Sequence, residues 1–154
     1  MAWPDWIPQW LRRAPEPVFI PTVEPLGTLT VEQILMGRQF DQRYKREFTP
    51  TVEANAAELV RRVNLLLGQY GQTPKVNSGW RPFAVNQAVG GAERSAHLVG
   101  QAVDLSDPDR PLQRWISRNL HELERAELWA EDFAATKTWV HLQTRRASTL
   151  LFKP

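Results

Sequence analysis

The chain contains no cysteine and only three histidines among its 154 residues. Without cysteine there can be no disulfide framework, and the redox compartment of the protein stays open. A zinc site built from this chain must therefore use imidazole and carboxylate ligands, because no thiolate is present.

The sequence also lacks a strong excess of either charge and any long apolar run. Nineteen Lys and Arg stand against 17 Asp and Glu, and the net charge is +2. We find no basic run or basic-aromatic stripe of the kind that binds nucleic acid. No segment approaches the roughly 20 apolar residues of a membrane span. The N-terminus lacks the basic start and apolar core of a signal peptide, so we expect synthesis and folding in the cytoplasm.

Proline and tryptophan are concentrated at the N-terminus. Residues 1–27 hold six of the 12 prolines and three of the seven tryptophans. Because this proline density opposes regular helices and central strands, we predict an extended arm over 1–27 and one globular domain over 28–154. Trp3, Trp6 and Trp10 either pack the arm onto the domain or contact a partner.

The segments after the arm indicate a mixture of helices and strands. Apolar residues repeat at helical spacing over 52–68, and a capping-box pattern, Thr30 to Gln33, precedes a short helix. Two more helices are predicted over 83–89 and up to residue 125, the second capped by Asp109 with Pro111 in its first turn. The charged segment 38–48 is predicted to be a loop. Apolar runs predict strands at 75–78, 102–105, 128–131 and 139–143.

The segment Ser-Ala-His-Leu-Val-Gly-Gln-Ala-Val-Asp, residues 95–104, is the most informative in the chain. It places His97 and Asp104 at a spacing suited to two ligands of one ion, with Gly100 allowing the backbone to turn between them. His141 lies in the apolar run Trp-Val-His-Leu, where a buried polar side chain needs a partner. Each histidine taken alone is more typical of a hydrogen-bonded residue than of a ligand. Two histidines and one aspartate, with a fourth position for water, are together typical of a catalytic zinc site.

Four segments resemble the zinc D-Ala-D-Ala carboxypeptidases of the peptidase M15 group, which also includes D,D-dipeptidases and phage L-alanyl-D-glutamate endopeptidases. The resemblance covers about residues 28–144. It implies an α+β fold in which a small antiparallel sheet is flanked by helices, as in D,D-peptidases and Hedgehog-type domains. The four segments are 76–81, 86–91, 95–104 and 139–141.

The resemblance also implies roles for individual residues. His97, Asp104 and His141 match the three zinc ligands. Arg81 matches an arginine that binds the substrate or polarises its scissile carbonyl, for which a planar cation is suited. Ser95 matches a residue that orients the site and contacts the substrate.

The general base is where the sequence departs from the family pattern. Members often carry a carboxylate three residues before the last ligand or a histidine two before it, but here these positions are Thr138 and Trp139. The nearest carboxylates are Glu131 and Asp132, at the end of the preceding predicted strand. Because adjacent strands can bring Glu131 beside His141, we predict Glu131 as the base, with Asp132 as the substitute. Alternation along a strand turns only one of the two inward, so only one should matter.

These observations leave three functional hypotheses. The first is a zinc peptidase, phage or prophage encoded, that hydrolyses an amide bond in the stem peptides of bacterial cell wall after release or from within a virion. The second is a non-catalytic, zinc-stabilised module of a phage particle, with the arm contacting other phage proteins. The missing carboxylate near His141 and the tryptophan-rich arm favour this second reading. The third is an interaction protein without a metal.

Overall fold

A five-stranded sheet forms the centre of the fold in the computed structural model, which describes residues 28–153. The strands are arranged in the order β1-β2-β4-β3-β5, and neighbours run antiparallel except β3 and β5, which are parallel. This arrangement confirms the predicted α+β class. The predicted arm, including Trp3, Trp6 and Trp10, lies outside the described residues. The strands are β1 (Val76–Ser78), β2 (Ala102–Ser106), β3 (Trp129–Glu131), β4 (Trp139–Gln143) and β5 (Leu151–Phe152).

Within residues 28–153, five α-helices pack around this sheet. The longest, α2, begins after the Thr49 cap and ends at Gly71, whose φ of 80° is the left-handed conformation that glycine adopts readily. Its buried apolar side chains recur every three or four residues, and α2 contacts both α1 and α5. None of the helices within residues 28–153 is long and apolar enough to cross a membrane. The helices are α1 (Val31–Leu35), α2 (Pro50–Tyr70), α3 (Phe83–Ala88), α4 (Pro111–Arg118) and α5 (Leu120–Arg125).

The predicted helix ending at residue 125 is two helices, and its predicted cap was wrong. The chain leaves helical geometry at Asn119, with a φ of −132°. The two carboxylate oxygens of Asp107, rather than Asp109, accept hydrogen bonds from the Leu112 and Gln113 amides, each at 2.9 Å. Arg110 has a φ of 61°, and this turn folds the start of α4 back onto Asp107. Because Asp107 does not lie directly before the first residue of α4, a search for capping residues at the usual spacing does not find it.

The segment predicted as a loop, 38–48, contains two short 3-10 turns, Arg38–Phe40 and Gln42–Tyr44. A third 3-10 turn, Ala96–Val99, precedes β2. The first and third of these turns contribute side chains to the cavity described below.

One face of the central strands is covered by the core. Val103, Leu105, Val140 and Leu142 are fully buried with the apolar side chains of the helices. Because side chains alternate along a strand, the residues between them project from the opposite face of the sheet. That opposite face holds the polar residues of the site.

Candidate metal centre

The register of the two central strands brings Asp104 and His141 together. In the antiparallel pair β2–β4, Asp104 lies directly opposite His141. Directly opposed residues share a face of the sheet and have closely spaced side chains. The Asp104 Oδ1 and His141 Nδ1 atoms are 2.9 Å apart.

His97 reaches the same point from the 3-10 turn before β2. The Ser95 hydroxyl accepts a hydrogen bond from the His97 amide at 3.3 Å, which starts this turn. Gly100 ends it with a φ of 74°, and a Cβ at this position would lie 2.7 Å from the Val52 carbonyl oxygen. Glycine is therefore suited to the turn between His97 and Asp104 for two reasons: the backbone φ is positive, and there is no room for a Cβ atom.

The three predicted ligands form a compact buried group. One ligand atom from each of His97, Asp104 and His141 lies within 4.8 Å of the others. His97 Nε2 is 3.3 Å from Asp104 Oδ1. Although burial alone raises the pKa of the Asp104 carboxyl, the adjacent His141 and His97 side chains hold this pKa well below its ordinary value. Burial also lowers the pKa of His97, and the opposing effect of Asp104 is smaller. The group thus offers a carboxylate and a neutral imidazole, the forms that bind metal.

The second hydrogen bond of each imidazole selects the nitrogen that faces this group. His97 Nδ1 is 2.7 Å from the Gly79 carbonyl oxygen, which can only accept, so Nδ1 carries the proton and Nε2 presents its lone pair to the group. His141 Nε2 is 3.2 Å from Gln143 Oε1, while the Gln143 amide nitrogen donates to the Arg145 carbonyl. His141 Nε2 therefore donates, and Nδ1 faces Asp104.

This arrangement fits a divalent cation. With His141 protonated at Nε2, a lone pair on Nδ1 faces the Asp104 carboxylate across 2.9 Å, and a cation bound by both atoms would remove their repulsion. Two imidazole nitrogens and one carboxylate oxygen match the ligand preferences of zinc. The donor set and its outer hydrogen bonds therefore meet the requirements of a three-ligand zinc site.

Arg81 supplies a cation to the same group. Its Nη2 is 2.5 Å from Asp104 Oδ2 and 3.0 Å from His97 Nε2, and its Nε donates to the Ser78 hydroxyl at 2.7 Å. The Arg81 backbone amide also donates to the His97 carbonyl at 3.0 Å. The guanidinium is thereby held at the edge of the candidate metal centre with N–H donors toward the ligands.

A cavity of about 550 Å³ opens over these residues. Its lining includes the three ligands, Arg81, Ser95 and Glu131, but not Asp132. The Asp132 carboxylate instead accepts a hydrogen bond from the Ala134 amide at 3.0 Å. Strand β3 pairs with β4 through Trp129–Gln143 and Ala130–Leu142, and this places Glu131 beside the His141 end of the group. Burial raises the pKa of Glu131; His141 opposes this rise, and Asp104 and Asp132 add to it.

Four of the residues that contact or line the site were not found from the sequence. Gly79 and Gln143 orient the two imidazoles, and the Phe152 ring lies edge-on to His141 at 6.0 Å between centroids. Arg38 lines the cavity from the 3-10 turn after α1. Gln143 could have been found, because it lies two residues after His141 on the same face of a predicted strand. The other three depend on contacts between distant segments.

Comparison with known proteins gives one result that bears on this site. A family model described as Peptidase M15 matches residues 33–143, which include all three candidate ligands, Arg81 and Glu131. No curated protein and no solved structure matches the chain.

Proposed function

The chain belongs to the Peptidase M15 family, and from this premise we propose that it is a zinc peptidase that hydrolyses an amide bond in the stem peptides of bacterial cell wall. Family membership makes it a metallopeptidase. The observation that carries the zinc assignment is the convergence of His97, Asp104 and His141 in one cavity.

His97 Nε2, His141 Nδ1 and a carboxylate oxygen of Asp104 are the atoms that would hold the ion. Bound zinc supplies a water of pKa near 7 and polarises a carbonyl oxygen. The Gly79 carbonyl oxygen and the Gln143 side-chain oxygen accept hydrogen bonds that keep both imidazoles in the required tautomer and orientation.

Glu131 is the proton carrier in this proposal. It lines the cavity, and its partly buried carboxyl has a raised pKa, which brings its proton affinity closer to that of a base operating near neutral pH. Glu131 takes the proton of the attacking water and later delivers it to the leaving amine. Thr138 and Trp139, at the positions where related sequences carry the base, offer no such group.

Arg81 stabilises the charge that develops on the scissile carbonyl oxygen. It is held by Ser78 and Asp104, so its donors are positioned before the substrate arrives. Preorganised donors of this kind contribute strongly to acyl-transfer reactions. Ser95 lines the same cavity and contributes through the position of His97 as well as through contact with the substrate.

The biological setting is also part of the proposal. We infer a phage or prophage origin and action on the wall after release from the cell or within a virion, with the N-terminal arm contacting other phage proteins. The family resemblance of the four sequence segments supports this setting, as does the cell-wall activity of related peptidases.

The test is amine release from wall stem peptides by the zinc-loaded protein. Glu131→Gln should lower kcat by about 10²- to 10⁴-fold, the usual contribution of general acid-base catalysis, without loss of zinc. Asp132→Asn is the matched control and should retain activity, because its carboxylate is bound to the Ala134 amide. Equal losses in both variants would contradict the assignment of the base. Stoichiometric zinc without hydrolysis of any wall peptide would favour the non-catalytic module.

A further inference from the structure

Arg38 is a partly buried cation on the wall of the cavity, and no acidic side chain among residues 28–153 pairs with it. Its Nη1 donates to the Trp80 carbonyl, and this is the one hydrogen bond of its side chain within residues 28–153. No ion pair to Arg38 is formed by any carboxylate in that part of the chain. Burial lowers the pKa of Arg38; the nearby Tyr44 opposes this, and the charge of Arg81 adds to it.

The position of Arg38 is fixed by well-packed neighbours. It begins the 3-10 turn after Gly37, whose φ is 72°. Its acceptor belongs to Trp80, which is fully buried, packs against Phe48 at 5.5 Å between centroids and donates from its indole to the Leu98 carbonyl at 3.1 Å. Arg38 is therefore held on the rigid part of the wall, with several guanidinium N–H groups left to meet a ligand.

The two arginines of the cavity differ in what balances their charge. Arg81 is paired with Asp104 and Ser78, whereas Arg38 is bound to an uncharged carbonyl. Partial burial of a guanidinium beside a second guanidinium costs free energy unless an anion neutralises its charge. The planar fork of arginine matches a carboxylate in a bidentate geometry.

The order of the strands places this cation and the proposed base on opposite sides of the metal centre. Across the sheet the order is β1, β2, β4, β3, and Trp80 follows β1 closely, whereas Glu131 ends β3. Neighbouring strands are about 4.8 Å apart. In a bound peptide, a scissile amide over the central strands and a carboxylate near β1 would therefore be separated by about the length of one or two extended residues.

We propose that Arg38 binds a carboxylate of the substrate peptide close to the scissile bond. This inference rests on the proposed peptidase function and narrows its substrates to peptides that carry a free carboxylate within one or two residues of the cleaved amide. Arg38 acts in substrate binding, and Arg81 remains at the reacting carbonyl.

The test compares peptide binding by the zinc-loaded full chain in a Glu131→Gln background, where the peptide should persist. Three forms of one stem peptide ending in D-Ala-D-Ala are used: the free acid, the C-terminal amide, and a form with the side-chain carboxylate amidated. Arg38→Gln should weaken binding of the free acid by about 10- to 100-fold, the usual range for a hydrogen-bonded charge pair, and should leave the form that lacks the recognised carboxylate unchanged. The two amidated forms identify which carboxylate is bound.

Arg43→Gln is the matched control, because Arg43 lies in the adjacent 3-10 turn, is 76% exposed and pairs with Asp41. It should leave binding of all three peptides unchanged. Equal weakening of all three peptides by Arg38→Gln, or no weakening, would overturn the proposal, as would a parent protein without preference for the acid. If Arg38→Gln lowers the melting temperature, Arg38→Lys is compared in the same way. A reduced preference for the acid then supports the proposal, and an unchanged preference overturns it.

Binding and hydrolysis are read separately, so the two proposals fail in different ways. Loss of the acid preference in Arg38→Gln supports carboxylate recognition whether or not the wild type cleaves the peptide. Absence of amine release from the zinc-loaded wild type contradicts the peptidase proposal alone.

Discussion

At the scale of single residues, the metal centre depends on hydrogen bonds made by groups that do not ligate. The Gly79 carbonyl oxygen orients the His97 imidazole, and the side-chain oxygen of Gln143 orients the His141 imidazole. Outer partners of this kind commonly change metal affinity by 10- to 100-fold when they are removed. The Gln143 contact can be tested directly, because a side chain rather than the backbone makes it.

We expect Gln143→Leu to lower zinc affinity by about 10- to 100-fold. Leucine keeps most of the volume but leaves the buried His141 Nε2–H without an acceptor, so the imidazole can adopt other tautomers and orientations. Competition with a chromogenic chelator measures the change. Gln87→Leu, an exposed position on α3, is the control. Equal zinc affinities for both variants would show that Gln143 does not orient the ligand.

The same contacts show how far the site could be predicted from the sequence. His97, Asp104 and His141 were found because their residue types and spacing carry the chemistry, and the structure brings them together. Gly79 lies in the segment 76–81 that resembles the family, but its role depends on a carbonyl that meets an imidazole 18 residues away. Arg38 has no sequence signal, because its contact with Trp80 joins segments separated by 42 residues.

At the scale of elements, the turn after β1 is pressed against the end of α1. The Trp80 amide donates to the Ile34 carbonyl at 2.8 Å. A Cβ at Gly79 would lie 2.0 Å from the same oxygen, whereas a Cβ at Gly68 in α2 would meet nothing within 4 Å. These two glycines therefore form a matched pair for the same substitution.

Gly79→Ala should lower the free energy of unfolding by about 1–3 kcal/mol, the usual effect of overpacking, since backbone must move to admit the methyl group. The same movement shifts the carbonyl that binds His97, so zinc affinity should fall as well. Gly68→Ala should raise stability by about 0.5–1 kcal/mol because alanine favours helix. Urea unfolding measures both. An unchanged midpoint for Gly79→Ala would contradict the close packing of this turn on α1.

A second element-scale prediction concerns the outer face of α2. Glu58 pairs with Arg61 at 2.8 Å and with Arg62 at 2.6 Å, and hydrogen bonds from both lower its pKa to about 2. Since the folded pKa lies below the unfolded value, the stabilisation is fully present above about pH 4.5 and is lost as the pH falls toward about 2.

Glu58→Gln should therefore be less stable than the wild type at pH 7 by no more than about 1 kcal/mol, because these pairs lie at the surface, where solvent screens them. The difference should shrink progressively below pH 4.5, and 1 M NaCl should reduce it at pH 7. Urea unfolding across this pH range provides the measurement. A difference that is constant with pH would show that the charge of Glu58 contributes nothing.

The elements themselves were predictable where the pattern is long and local. Helix α2 was predicted over 52–68 and spans Pro50–Tyr70, because its apolar positions repeat over five turns. Strand β5 was not predicted, since two residues carry no alternation and the strand exists only through its pairing with β3. The break at Asn119 was missed for the related reason that the apolar pattern continues across it.

At the scale of the whole molecule, the candidate ligands join parts of the chain that fold around a shared core. His97 comes from the turn beside α2, Asp104 from β2 and His141 from β4. A ligand that binds the folded state alone stabilises it by mass action. Because the unfolded chain cannot hold these three side chains together, zinc should raise the stability of the entire domain.

We expect zinc at 100 times its dissociation constant to increase the free energy of unfolding by about 2.7 kcal/mol, and a chelator to reverse the increase. His97→Ala should abolish this response, since two ligands remain. His121→Ala is the matched control, because this third histidine is 70% exposed on α5 and lies outside the group. Thermal unfolding with and without zinc measures the response. A zinc-dependent shift retained by His97→Ala but lost by His121→Ala would place the metal elsewhere, and the three buried side chains would then have to be explained as a hydrogen-bonded cluster.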